Sequence, residues 1–212
     1  MSKKKFGWKK FVAAGVLTTS LGLGYWASKA FYAVEKVIDG DTFITTENRY
    51  IRLDSVDAPE LNYCLGKESK IELEKLILGK KIFIKVTYLD NYKRMVASVF
   101  TISGNVGEKM LTKGLATYHN KGNQNQENLY KAAQYAKNKR IGVYSPVCTQ
   151  ATNPINPKCN IKGNTTGDKN LYRYPGCRLF NSTMVELHLG DKWYCTEKEA
   201  LKAGFNKGGD CP

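Results

Sequence analysis

Residues 38–60 read IDGDTFITTENRYIRLDSVDAPE. Asp39, Asp41, Asp57 and Glu60 fall here with Arg52, inside a chain of 212 residues whose formal net charge is +14. Acids gathered within a basic protein ordinarily hold a cation, and basic surroundings suit a polyanionic substrate. Two carboxylates about 4 Å apart repel by roughly 4 kcal/mol at an effective dielectric near 20, so one takes a proton or a cation lies between them. The stretch has no His or Cys. An oxygen-only donor set favours calcium, magnesium or manganese over zinc. Together these features point to metal-assisted attack on a phosphodiester.

Both halves of the stretch alternate as strands do, through Phe43 and Ile44 in one and Ile51, Leu53 and Val56 in the other. Gly40 permits a bend or bulge between the two aspartates. Pro59 sets the turn that presents Glu60 and keeps Ala58 extended. Each piece also has a plainer reading. Asp-Gly-Asp is ordinarily a solvated turn. Arg52 suits a strand surface, Glu60 suits the first turn of a helix, and Asp90 with Arg94 makes a weak loop ion pair.

Farther along come GKES at 66–69, DNYKR at 90–94, NVGEKMLTKGLA at 105–116, an alanine-rich helix near 127–138 and GVYS at 142–145. In this order the motifs resemble the staphylococcal (micrococcal) nuclease family over residues 33–148. The resemblance implies an α+β fold, a five-stranded β-barrel of oligonucleotide-binding (OB) type with three helices. It implies that Asp41 and Asp57 bind calcium with the backbone carbonyl of Ala58, where the best-known member has threonine. It also implies that Glu60 activates water and that Arg52 and Arg94 grip the phosphate. The implied reaction is calcium-dependent cleavage of DNA and RNA that leaves 3′-phosphate ends. Lys93 departs from the family, which usually has glycine in that turn. Tyr92 and Tyr118 either stack on bases or simply pack.

Apolar spacing supplies the rest of this domain. Ile71, Leu73, Leu76, Ile77 and Leu78 predict an amphipathic helix over 66–78 ended by Gly79. Lys81–Tyr88 and Met95–Ser103 read as paired strands, Met110, Leu111 and Leu115 as a short helix, and GVYS as a final strand. Leu129, Ala132, Ala133 and Ala136 predict a helix from Gln126 to Asn138.

The segments on either side set the compartment. Lys3, Lys4, Lys5, Lys9 and Lys10 precede an apolar run from Phe11 to Trp26. Residues 1–32 therefore read as a signal peptide or an N-terminal signal anchor. Either one places the nuclease-like domain outside the cell, secreted or anchored to the outer face of the membrane. The chain has six cysteines, which in an exported protein pair in one of 15 ways. Resemblance to bacterial family members implies a Cys64–Cys148 bridge. Residues 149–158 have the composition of a linker.

Residues 159–212 are similar to a small cysteine-containing module found at the C-terminus of exported bacterial nucleases. Cys159, Cys177, Cys195 and Cys211 suit two disulfides or four zinc thiolates, and no CxxC pair favours the zinc ribbon. His188 reads as a surface or strand residue. A rival for the whole chain is a non-catalytic nucleic-acid-binding or surface-associated protein built on the same barrel.

Overall fold

The computed structural model describes residues 31–120, 126–167 and 169–212. The leader expected over 1–32 lies outside these residues, except for Phe31 and Tyr32. Among the described residues no helix is long and apolar enough to cross a membrane.

The alternating segments form strands β1 (Tyr32–Val37), β2 (Thr42–Thr45) and β3 (Tyr50–Leu53), a meander in which Val37 faces Phe43 and Phe43 faces Ile51. β5 (Lys81–Leu89) and β6 (Met95–Thr101) pair as a hairpin. β5 also pairs with β1, while β6 runs parallel to β3 with Ile51 beside Met95 and Arg52 beside Val96. That last pairing closes a five-stranded barrel, which removes the open sheet edge. Two short strands, β4 (Val56–Asp57) and β8 (Thr117–Tyr118), pair outside it, and β7 (Gly104–Asn105) extends β6.

Three helices cover the barrel: α1 (Gly66–Ile77), α2 (Val106–Thr112) and α3 (Glu127–Lys139). Asn105 caps α2 by accepting a hydrogen bond from the Glu108 amide at 3.1 Å. α1 buries Ser69, Leu73 and Ile77, one row at i, i+4 spacing, and α3 buries Leu129, Ala132, Ala133 and Ala136. They meet Phe43, Ile51, Leu53, Val106, Met110 and Leu111 in a single core.

Two expectations need correction. Ile71 and Leu78 are exposed, because the buried row of α1 runs through 69, 73 and 77. GVYS is not a strand; Gly142–Tyr144 forms one 3₁₀ turn. The chain bends through residues 39–41, as expected at Gly40, and a separate β-bulge lies between Val34 and Lys36. Gly40 answers to crowding: a Cβ there would lie 2.6 Å from the Cβ atoms of both Ala58 and Ser69.

The C-terminal module has its own sheet, ordered β13 (Lys192–Tyr194), β10 (Ile161–Thr166), β11 (Lys169–Arg173) and β14 (Asn206–Lys207). α4 (Glu197–Lys202) packs on it through Ala200, against Ile161, Tyr172, Tyr194 and Phe205. Disulfides join Cys159 to Cys195 and Cys177 to Cys211, so these four thiols are not zinc ligands. The third bridge is Cys64–Cys148, and no cysteine is free. Thr149 and Gln150, at the start of the stretch read as a linker, form β9, which pairs with β12 (Val185–Glu186).

His188 corrects a further expectation. It lies in a 3₁₀ turn, Leu187–Leu189, with only 3% of its surface exposed, since that turn folds back beside Cys148. Burial pushes its pKa down to about 4, against a backbone hydrogen bond at Cys148. The unfolded chain, with a histidine pKa near 6.5, takes up the proton first, so stability present above about pH 6.5 is lost as the pH falls toward 4. The full shift corresponds to about 3 kcal/mol. A His188→Gln variant should show a shallower fall in melting temperature than the parent between pH 7 and pH 4.5. Parallel curves would remove His188 as the cause.

Candidate active site

Asp41 immediately precedes β2, and strand register sets Thr42 opposite Arg52. Asp41 is 3% exposed. Its Oδ2 accepts a hydrogen bond from the Ala58 amide at 2.9 Å, and its Oδ1 accepts one from Thr42 Oγ1 at 2.8 Å. The Arg52 guanidinium bridges two carboxylates, Nη1 donating to Asp41 Oδ1 and Nη2 to Asp57 Oδ1. Asp57 is exposed in β4, held by the pairing of Asp57 with Thr117. Asp39 is spent locally: its Oδ1 accepts from the amides of Asp41 and Thr42 at 3.0 and 2.7 Å, which makes the turn.

Electrostatics reflect this packing. Burial pushes the Asp41 carboxyl up to about 6; Arg52 pulls the other way, and Asp39 adds to the rise. Arg52, despite burial, is held above its usual value by Asp41 and Asp57. Two carboxylates that converge on one cationic group are what a divalent ion needs, and carboxylate oxygens suit a hard one. Among the described residues no three His, Cys, Asp or Glu side chains form a metal-binding group. A cation here would therefore draw on two carboxylates, with carbonyl, water or substrate oxygens completing its shell. The residues fit a hard ion of that kind.

Arg94 is held apart from this pair. Its Nε donates to Asp90 Oδ2 at 2.8 Å, while the Tyr92 and Arg94 amides both donate to Asp90 Oδ1 at 2.9 Å. Hydrogen bonds from Arg94 outweigh burial and hold the Asp90 carboxyl below its usual value. The Arg94 guanidinium carbon lies 5.4 Å from the Tyr92 ring centre. Arg94 and Tyr92 line a cleft of about 420 Å³ with Asp39, Thr42 and Tyr50. Tyr92 is 82% exposed, whereas Tyr118 packs edge-on against Tyr130 with centroids 5.9 Å apart. Lys93 has φ 63°, a left-handed conformation that glycine adopts without strain.

Glu60 is exposed, and no group among the described residues holds its carboxylate. Its backbone is fixed instead. Glu60 O accepts from the Tyr63 amide at 2.8 Å, and a Cβ on Gly66 would lie 1.9 Å from that same oxygen. Only glycine lets the start of α1 approach so closely.

Three site residues escaped the sequence reading. Thr42 orients Asp41 from within the quoted motif, so its position was in view but its role was not, whereas the Asp90–Arg94 ion pair forms as read. Tyr88 and His119 line a second cleft, about 240 Å³, with Arg52 and Asp57. Nothing local in the sequence marks either, because β8 and the β5–β6 hairpin bring them there.

Comparison with known proteins agrees with this geometry. The family described as "Staphylococcal nuclease homologue" matches residues 50–146. An "Uncharacterized endonuclease" of Haemophilus influenzae is 32% identical over 129 residues, 58% of this chain and 68% of that protein. "Probable endonuclease LCL3" of Verticillium alfalfae is 31% identical over 153 residues, 65% of this chain and 53% of that protein. "Staphylococcal-like nuclease CAN1" of Arabidopsis thaliana is 35% identical over 107 residues, 50% of this chain and 31% of that protein. The chain belongs to the staphylococcal nuclease family. It spans between about a third and about half of several curated relatives it matches, the Verticillium and Arabidopsis proteins among them.

Proposed function

We propose that this protein is an exported, calcium-dependent nuclease that hydrolyses the phosphodiester bonds of DNA and RNA and leaves 3′-phosphate ends. The observation that carries the reading is the guanidinium of Arg52 held between Asp41 and Asp57. It joins a cation position and a phosphate-binding fork in one place. Asp41, Asp57 and the carbonyl of Ala58 would hold calcium. Bound there, the ion supplies positive charge against the charge that builds on the phosphate.

The remaining roles belong to the chain's own side chains. Carboxylates that share a cation no longer need the guanidinium, so Arg52 can donate its planar fork to phosphate oxygens. Arg94 lines the adjoining cleft and does the same from the other strand pair. Glu60, exposed and without a partner among the described residues, is available to take a proton from water. Export is supported by the lysine-rich leader and by the pairing of all six cysteines.

Digestion of single-stranded DNA and RNA with calcium, with magnesium and with chelator tests the reading. Cleavage requires calcium, and activity indifferent to chelator would overturn the metal assignment. Glu60→Ala should lower kcat by about 10²–10⁴-fold. Its melting temperature should stay that of the parent, since the exposed carboxylate makes no hydrogen bond or ion pair among the described residues. Near-full activity in that variant would remove Glu60 from the chemistry.

A further inference from the structure

We propose that the C-terminal module is a positioning element for Glu60, acting through Leu187 and Gly190 on the segment that follows the catalytic turn. This inference rests on the nuclease reading above.

The Glu60 carboxylate has no partner among the described residues, so its place depends wholly on its backbone. That backbone belongs to an exposed segment: Glu60, Leu61, Asn62 and Tyr63 are all exposed. Such a stretch has few contacts of its own and is prone to local opening. α1 restrains one end through Gly66. Restraint of the middle comes from the C-terminal module.

The contacts form one continuous path. The Leu187 amide donates to Cys148 O at 2.8 Å, and the Cys64 amide donates to Leu187 O at 3.4 Å. Leu187 thereby links both halves of the Cys64–Cys148 bridge through its own peptide groups. Gly190 lies against the Tyr63 ring, where an added Cβ would fall 2.7 Å from Tyr63 Cζ. The Tyr63 amide in turn donates to Glu60 O. Both module residues belong to the turn after β12, and β12 pairs with β9 directly after Cys148. Trp193 fixes the same junction, its Nε1 donating to Gln150 Oε1 at 2.7 Å. The module is thus built onto the nuclease domain at the loop that carries the general base. Displacing a catalytic group by about 1 Å costs on the order of 100-fold.

Two full-length variants test this from opposite sides. Tyr63→Ala removes the ring from the nuclease-domain side of the contact, and Gly190→Ala drives a methyl into the ring from the module side. Each should lower kcat about 10–100-fold on single-stranded DNA with KM within about twofold of the parent. In a Glu60→Ala background, Tyr63→Ala should add nothing, because the group it positions is gone. Amide exchange in Gly190→Ala should speed up at residues 61–65 and stay unchanged in α3.

An equal loss from Tyr63→Ala with and without Glu60 overturns the proposal, as does full activity in Tyr63→Ala. Misfolding of Gly190→Ala leaves the Tyr63→Ala cycle decisive. Failure of the parent to cleave nucleic acid with calcium is a different result. It would overturn the nuclease reading itself and this inference with it.

Discussion

Replacing Arg52 with alanine should lower the turnover of single-stranded DNA by roughly 10³–10⁵-fold, the range for a positioned arginine in phosphoryl transfer. The same change should make calcium bind more tightly than in the parent. Arg52 bridges Asp41 and Asp57, so it competes with any cation for the same oxygens. Its removal frees them. Without calcium the variant should be less stable at pH 8, by about 3 kcal/mol, because a nearly buried carboxylate loses its counter-charge. Asp41 retains hydrogen bonds from Thr42 and Ala58, which keeps the cost at the low end. Arg52→Lys keeps the charge but not the fork, so little activity should return. Calcium titration by calorimetry beside a cleavage assay separates the two effects. Weaker calcium binding in Arg52→Ala would sink the shared-site argument.

Removing the Cys64–Cys148 bridge with a double serine variant should cost about 4–5 kcal/mol. The bridge spans a sequence separation of 84 residues, and closing a loop of that length restricts the unfolded chain by about this amount. For a protein of this size the melting temperature should drop by on the order of 10–15 °C. Activity should fall at temperatures where the variant is still fully folded, because Cys64 anchors the exposed segment after Glu60. Calorimetry and cleavage rates measured well below the transition check both statements. An unchanged melting temperature would mean that the unfolded chain is already restricted by other means.

The site was legible where its parts are neighbours in sequence. Asp41, Thr42 and Arg52 lie on one short meander, so motif and geometry coincide. The hairpin that carries Arg94 is likewise local. Helix α3 was readable because its four buried residues keep strict helical spacing. α1 was harder, since Ile71 and Leu78 widened the apparent apolar face although Ser69 shares the buried row. Ser69 donates to the carbonyl of Leu115 at 2.5 Å, a partner from another element that no periodicity reveals.

Long-range pairings account for what the sequence hid. His188 is buried only because its turn folds back on Cys148. Gly40 is required by the approach of Ala58 and Ser69, not by its own backbone. The interplay of Arg52 with both aspartates depends on β4 being pinned by β8, two strands far apart along the chain. Lys93 holds a left-handed turn at a cost of about 1–2 kcal/mol, and nothing in the structure explains its preference over glycine.

The distribution of the disulfides has a consequence for how the molecule comes apart. Cys64–Cys148 lies wholly on the barrel side, and the other two bridges lie wholly within the C-terminal module. A protease that cuts at the exposed Ile155 severs the sole covalent connection between them. The β9–β12 ladder survives such a cut, because neither strand contains it, and with one strand in each fragment it holds the two together. The nicked protein would persist as a two-chain particle that denaturant alone dissociates, with no reductant needed.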